Sequence, residues 1–167
     1  MSKKNSASTV ARLSVLLCLA LIMSYVEHIA AFDVGVPGVK VGFANIAVLF
    51  VLYRMGWKYA LGINLCRVFL SALLFGNITS LIYGGCGALC SFALMYLLYG
   101  KNLFGVMGVS VAGAVCHNMA QLCAAAALMG SAYVFSYAPV LLIAGTVFGA
   151  VTGLICAVML KKIPKNL

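Results

Sequence analysis

The stretch VGFANIAVLFVLYRMGWKYALGINLCRVFLSALLFGN, residues 41–77, decides how this chain is read. It holds two apolar runs, Val41 to Tyr53 and Tyr59 to Phe75, and the break between them is Arg54, Met55, Gly56, Trp57 and Lys58. Two cations and a Trp in a tight turn are the residues that collect where a membrane span meets water on the cytoplasmic side. We read a cytoplasmic corner joining two transmembrane helices. The second run closes at Gly76, Asn77, Ile78 and Thr79, which is turn chemistry.

The same alternation continues in both directions. Upstream, an apolar run from Val10 to Val26 ends at Glu27 and His28 and leads into residues 32–40, where Asp33, Gly35, Pro37 and Gly38 break a helix. Downstream, runs over Ser80–Tyr99, Leu103–Met129 and Tyr137–Leu160 are separated by Gly100, Lys101 and Asn102 and by the short link Gly130–Ser136. A span takes about 20 apolar residues, so six of them fill a chain of 167 residues and leave no room for a soluble domain. The fold expected is all-α: a polytopic membrane helix bundle of six transmembrane helices in a single domain, residues 1–167. No small-residue cleavage site follows the first run, so it is read as a retained helix and not as a signal peptide.

Composition supports this reading. With 65% hydrophobic and 8% charged residues, the chain carries more apolar surface than one soluble core hides, and lipid must cover the rest. The net charge of +9 comes from cations scattered singly between apolar runs, not from a patch or stripe, so nucleic acid is not an expected partner. With the amino terminus in the cytoplasm, that side collects Lys3, Lys4, Arg12, Arg54, Lys58, Lys101, Lys161, Lys162 and Lys165, and the other side collects Lys40. The positive-inside rule then places both termini in the cytoplasm and Glu27 and Asp33 outside.

Small residues mark where helices meet. Gly145, Gly149 and Gly153 recur at four-residue spacing on the sixth run, a ridge that lets another helix approach closely. The seven cysteines lie in apolar stretches and are read as small packing residues, with no disulfide framework and no metal site; Cys86 and Cys90 lack further ligands at metal spacing.

Polar residues inside the runs are the candidates for function. An ionisable group in a spanning helix costs roughly 2.5 to 3.5 kcal/mol on insertion scales, so Arg67 needs a partner, a wet cavity or a ligand. At about 1.5 Å per residue it stands about 13 Å above the corner, near mid-membrane, with Asn64 and Ser71 on the same helix face. His117, Asn118 and Gln121 fall in the outer half of the fifth helix, and Asn45, Glu27 and His28 lie at comparable depth. One reading of this set is structural, with Arg67 paired to Glu27 and the amides holding helices together. The other is a pocket open to the outside, suited to a partly anionic, hydrogen-bonding small molecule. No nucleotide-binding loop is present, and the two acids of the chain are too few to hold magnesium and a diphosphate. Catalytic residues and a cofactor are therefore not expected.

Three segments carry a family resemblance: PGVKVGFANI (37–46), LCRVFLS (65–71) followed by LFG (74–76), and GVSVAGAVCHNMAQ (108–121). In this order and spacing they resemble the Gx transporter family of bacterial membrane proteins, also labelled heptaprenyl diphosphate synthase component I. The resemblance implies a six-helix fold similar to the substrate-binding S components of energy-coupling factor transporters, which capture vitamins or related precursors and are reset by a T component and two ATPases. The family's recurring polar positions fall on Lys40, Asn45, Arg67, Ser71, His117, Asn118 and Gln121.

The function expected is thus a substrate-binding subunit of a small-molecule transporter in a bacterial cytoplasmic membrane, not an enzyme. Its ligand would be a vitamin-like compound or a flavin, quinone or isoprenoid precursor, with residues 33–40 as a lid. The alternative is an accessory membrane component of heptaprenyl diphosphate and menaquinone synthesis.

Overall fold

A computed structural model describes residues 3–30, 42–101 and 104–163. Six α-helices follow one another: α1 (Lys3–Ala30), α2 (Ala44–Arg54), α3 (Trp57–Phe75), α4 (Ile78–Lys101), α5 (Val106–Met129) and α6 (Ala138–Lys162). A short 3-10 helix, Ala132–Tyr137, leads into α6, and Ser131 accepts a hydrogen bond from the Tyr133 amide at its start. Among the described residues there is no strand.

Five segments are long and apolar enough to cross a membrane: Ala7–Ile29, Trp57–Phe75, Ile78–Lys101, Val106–Met129 and Ala132–Lys162. Their outward faces carry large apolar side chains such as Leu73, Leu74, Ile78 and Ile143, all more than 60% exposed, a surface that only lipid covers favourably. The chain is a multi-pass membrane protein. The second helix departs from the expected full span over Val41–Tyr53. With 11 residues, α2 rises about 16 Å, roughly half the hydrocarbon thickness. It lies inside the bundle, with Ala44, Ala47, Val48, Leu49, Val51 and Leu52 buried, and a helix apolar all round is stable only in such surroundings.

The corner after α2 forms as expected. Gly56 adopts φ +97, which only glycine takes without strain, and turns the chain into α3 within two residues. Arg54 donates from Nη2 to the carbonyls of Leu160 and Ile163, neutralising the exposed carbonyls at the end of α6 and tying α2 to it. Its guanidinium also lies over the Phe50 ring, 5.9 Å from the centroid. Lys58 sits against Trp57 at 5.7 Å, and Trp57 and Tyr53 pack on Tyr96 and Tyr99 of α4.

The apolar core belongs to this cation-rich end of the bundle. Val48 to Leu52 of α2 pack there with Ile63, Met95, Val109 and Cys156, and Leu98, Val106 and Met159 close around them. Glycines set the helix spacing. An added Cβ on Gly149 would lie 2.8 Å from the Val111 Cα, and one on Gly153 would lie 2.8 Å from the Met107 Cα, so α6 rests directly on the α5 backbone. Gly113 of α5 likewise admits Met95 of α4. A cavity with polar side chains in its wall occupies the other half, and a more open, apolar hollow lies between α1 and α3 beside Lys58.

Candidate functional site

The cavity in that half has a volume of about 130 Å³, smaller than the roughly 300–1,000 Å³ of sites for drug-sized ligands. It runs from mid-bundle to the cation-poor end, where α1 and α3 finish and α2 and α4 begin. Toward its floor lie Asn45 of α2, Arg67 of α3, Asn118 of α5 and Thr152 of α6; toward its mouth lie His28, Phe75, Gly76 and Ser80. Phe75 packs on the rings of Tyr25, at 5.5 Å, and His28, at 5.7 Å, so an aromatic cluster edges the opening.

Arg67 is held from below. Its Nη2 donates to Asn64 Oδ1 at 3.1 Å, and Asn64 Nδ2 donates to the Ala88 carbonyl at 3.0 Å, which fixes the guanidinium to α4 through one amide. Asn64 is only 1% exposed. Replacing it with alanine leaves a guanidinium N–H without its amide acceptor and breaks the link to α4, and the expected loss is about 1 to 3 kcal/mol of stability, read by thermal unfolding in detergent. Arg67 also interacts electrostatically with Glu27 of α1. Glu27 is buried, and its Oε1 accepts from the Ala44 amide, the first N–H of α2, at 3.3 Å. A carboxylate at a helix N-terminus is favoured by the helix dipole, so Glu27 orients α2 and offsets the charge of Arg67 together.

The other candidates divide by what they touch. Asn118 donates from Nδ2 to the Leu141 carbonyl at 3.0 Å and so joins α5 to α6 while facing the cavity. Ser71 lines it and returns its hydroxyl to the Val68 carbonyl one turn back, at 3.1 Å. Asn45 lines it with its amide near the Met95 sulfur, at 3.9 Å. His117 lines it and rests on Gly87 of α4: an added Cβ there would be 2.9 Å from its Cε1. Gln121, one turn on, packs its Cγ on the same glycine and lies behind the wall instead of on it. Lys40, and with it the lid over residues 33–40, lies outside the described residues.

Sequence reasoning left Ser24, Asn64 and Thr152 out of the site. Ser24 stands one turn before Glu27 and His28 on α1, so the i, i+3, i+4 spacing was the available signal. Thr152 bonds Ser110 of α5 at 3.0 Å and the Phe148 carbonyl at 2.9 Å. Nothing in the sequence separates it from the packing ridge around it.

The class this architecture defines is a multi-pass helical membrane protein whose spans enclose a mostly apolar cavity, open at one end, with a few polar side chains in its wall. The profile of the heptaprenyl diphosphate synthase component I family matches residues 16–159, and the chain belongs to that family. No curated protein and no solved structure matches it.

Proposed function

We propose that this chain is the substrate-binding membrane subunit of a small-molecule transporter of the energy-coupling factor type, and that it catalyses no reaction itself. The observation that carries this is the cavity: a half-buried guanidinium with side chains from α1, α2, α5 and α6 turned toward one hollow open at the cation-poor end. By the positive-inside rule the opposite end, with Arg54, Lys58, Lys101, Lys161 and Lys162, faces the cytoplasm of a bacterium, so the hollow opens outward. Asn45, Arg67, Ser71, His117 and Asn118 contact the ligand, Lys40 joins them from the loop over residues 33–40, and Gln121 supports His117 from behind. Without a phosphate-binding loop of its own, the subunit depends on a T component and two ATPases for energy.

A second reading is favoured by the family description. A "component I" implies a second subunit, and an accessory role in heptaprenyl diphosphate synthesis fits that name. Prenyl elongation itself needs clustered acids to hold magnesium diphosphate, and this chain has two acids in all, Glu27 and Asp33. Any such role is therefore one of membrane support and not of chemistry.

Affinity purification of the tagged chain from its native membranes separates the readings. Recovery of a T component and paired ATPases is the expected result; recovery of an aspartate-rich prenyl synthase instead supports the second reading. The cavity wall gives a further expectation. Gly87→Ala places a Cβ 2.8 Å from the Gln121 Cγ and 2.9 Å from the His117 Cε1, so both side chains must shift and stability falls by about 1 to 3 kcal/mol. Ligand occupancy of the purified protein falls further, by about tenfold.

A further inference from the structure

The apolar hollow between α1 and α3 lies at the cation-rich end, apart from the central cavity. Val10, Leu13 and Leu17 recur at spacings of three and four on α1, and Lys58, Gly62 and Cys66 at spacings of four on α3, so each helix turns one face to it. Val10, 59% exposed, stands at its lipid-facing edge. Gly62 opens it. A Cβ added there would meet nothing within 4 Å, whereas those of Gly149 and Gly153 would run into the α5 backbone, so the side chain missing at Gly62 is space left in the hollow and not room for a packed helix.

Size selects what can lie there. The face from Lys58 to Cys66 rises about 12 Å, and a helix about 10 Å across fills about 900 Å³ over that length. The hollow has a volume of about 290 Å³, or about 610 Å³ with its open side counted. It accepts an alkyl chain and is too small for a helix from a partner or from a second copy.

Charge selects the head that goes with the chain. Lys58 lines the hollow in the first turn of α3, with its ammonium 5.7 Å from the Trp57 ring centroid. The chain has two acids, and neither reaches it. Glu27 stands about 21 Å further along α1 than Leu13. Asp33 is tethered three residues past Ala30, and three residues span at most about 11 Å, against roughly 25 Å of helix between Leu13 and Ala30. A zwitterionic headgroup brings an ammonium that no carboxylate here receives, while a headgroup of net negative charge needs the lysine alone.

We propose that this hollow holds an acyl chain of an anionic phospholipid from the leaflet at the cation-rich end, with the lipid phosphate paired to Lys58 and the chain laid over Gly62 toward Cys66. The site is independent of what the central cavity binds.

The test incubates the full chain, in a mild detergent, with dioleoyl phosphatidylglycerol or dioleoyl phosphatidylcholine and counts bound lipid by native mass spectrometry. The wild type is expected to retain one phosphatidylglycerol about fivefold more tightly than phosphatidylcholine, the effect of about one lysine at a membrane surface. Lys58→Gln is expected to remove that preference. Arg12→Gln is expected to keep it, because helical spacing puts Arg12 on the far side of α1 from the hollow. Gly62→Phe fills the open space and is expected to lose both lipids with an unchanged size-exclusion profile; should it fail to fold, Lys58→Gln decides alone. Glycerol 3-phosphate, a head without chains, is expected to displace nothing at equal concentration. Equal retention of the two lipids by the wild type, a preference that survives Lys58→Gln, a folded Gly62→Phe protein that still holds lipid, or displacement by glycerol 3-phosphate overturns the proposal. A dimer mass in place of bound lipid gives the hollow to a second copy and overturns it too. Arg67→Ala is expected to keep the preference; its loss there would put the lipid in the central cavity and equally contradict the assignment.

Discussion

Replacing Arg67 with alanine is expected to empty the cavity while the chain still inserts and folds. Insertion should not suffer, because the change removes a group that costs roughly 2.5 to 3.5 kcal/mol to place in a spanning helix. Folding should hold as well, at a cost of up to about 3 to 5 kcal/mol for leaving the buried Glu27 without the guanidinium that offsets it. Glu27 keeps its bond from the Ala44 amide at the α2 N-terminus, and Asn64 keeps its bond to the Ala88 carbonyl. Binding loses the one fixed cation among the described lining residues. Truncating a buried, hydrogen-bonded charge costs about 2 to 5 kcal/mol, roughly 30-fold to several-thousand-fold in affinity. Native mass spectrometry of the purified protein reads this directly: a small molecule is carried by the wild type and is missing from Arg67→Ala, with the two proteins alike in size-exclusion profile. Equal occupancy in both would mean that the cavity does not bind through its guanidinium.

The second large effect is structural. Gly149→Leu should prevent α6 from seating on α5, because an added Cβ alone meets the Val111 Cα at 2.8 Å and the Ala114 Cβ at 3.0 Å. Backbone cannot swing aside as a side chain can, so the helices must separate along the whole seam that Gly145, Gly149 and Gly153 share. Overpacking by one methyl, Gly149→Ala, is expected to lose about 1 to 3 kcal/mol, and leucine more. Because Asn118 bonds Leu141 across the same seam, the cavity wall moves too. Thermal unfolding in detergent checks the size of the loss. Gly62→Ala serves as the comparison: nothing lies within 4 Å of its added Cβ, and an alanine inside a helix is favoured over glycine by about 0.5 to 1 kcal/mol. That variant should be as stable as the wild type or slightly more so.

The membrane-spanning helices were legible because lipid demands long apolar runs, and the corner at Arg54 to Lys58 was legible because cations and Trp gather at an interface. The glycine ridge on α6 was legible from spacing alone, although which helix it met was not. The length of α2 was hidden, since an apolar run reads the same whether it crosses the bilayer or lies buried inside the bundle. Its start depends on contacts distant in sequence, with Gly42 at φ +79 turning the chain and Glu27 accepting from Ala44.

The site was legible in part for a related reason. Burial cost singles out Arg67, and helix rise gives depth, so residues of similar depth can be grouped before their directions are known. Rotation about the helix axis is what the grouping lacks. His117 and Gln121 are one turn apart, yet the first faces the cavity and the second packs on Gly87 behind it. Asn64 was seen to share a face with Arg67, but its bond to the Ala88 carbonyl, and with it its role in holding the guanidinium, needs α4 in place. Glu27 shows the other side of the same point: the sequence allows it as a structural partner of Arg67 or as part of a pocket, and in the folded chain it interacts with Arg67 and lines the cavity.

Access from one side is the claim on which the rest depends, and a cysteine placed at Ser71 tests it most directly. In a chain whose seven native cysteines are replaced by alanine or serine, Ser71→Cys lines the cavity one turn above Arg67. The account predicts that a membrane-impermeant maleimide added outside intact cells labels it, and that Met55→Cys, at the opposite corner, is labelled only in inverted vesicles. Labelling of Ser71→Cys from the cytoplasmic side alone, or from neither side, would contradict the account.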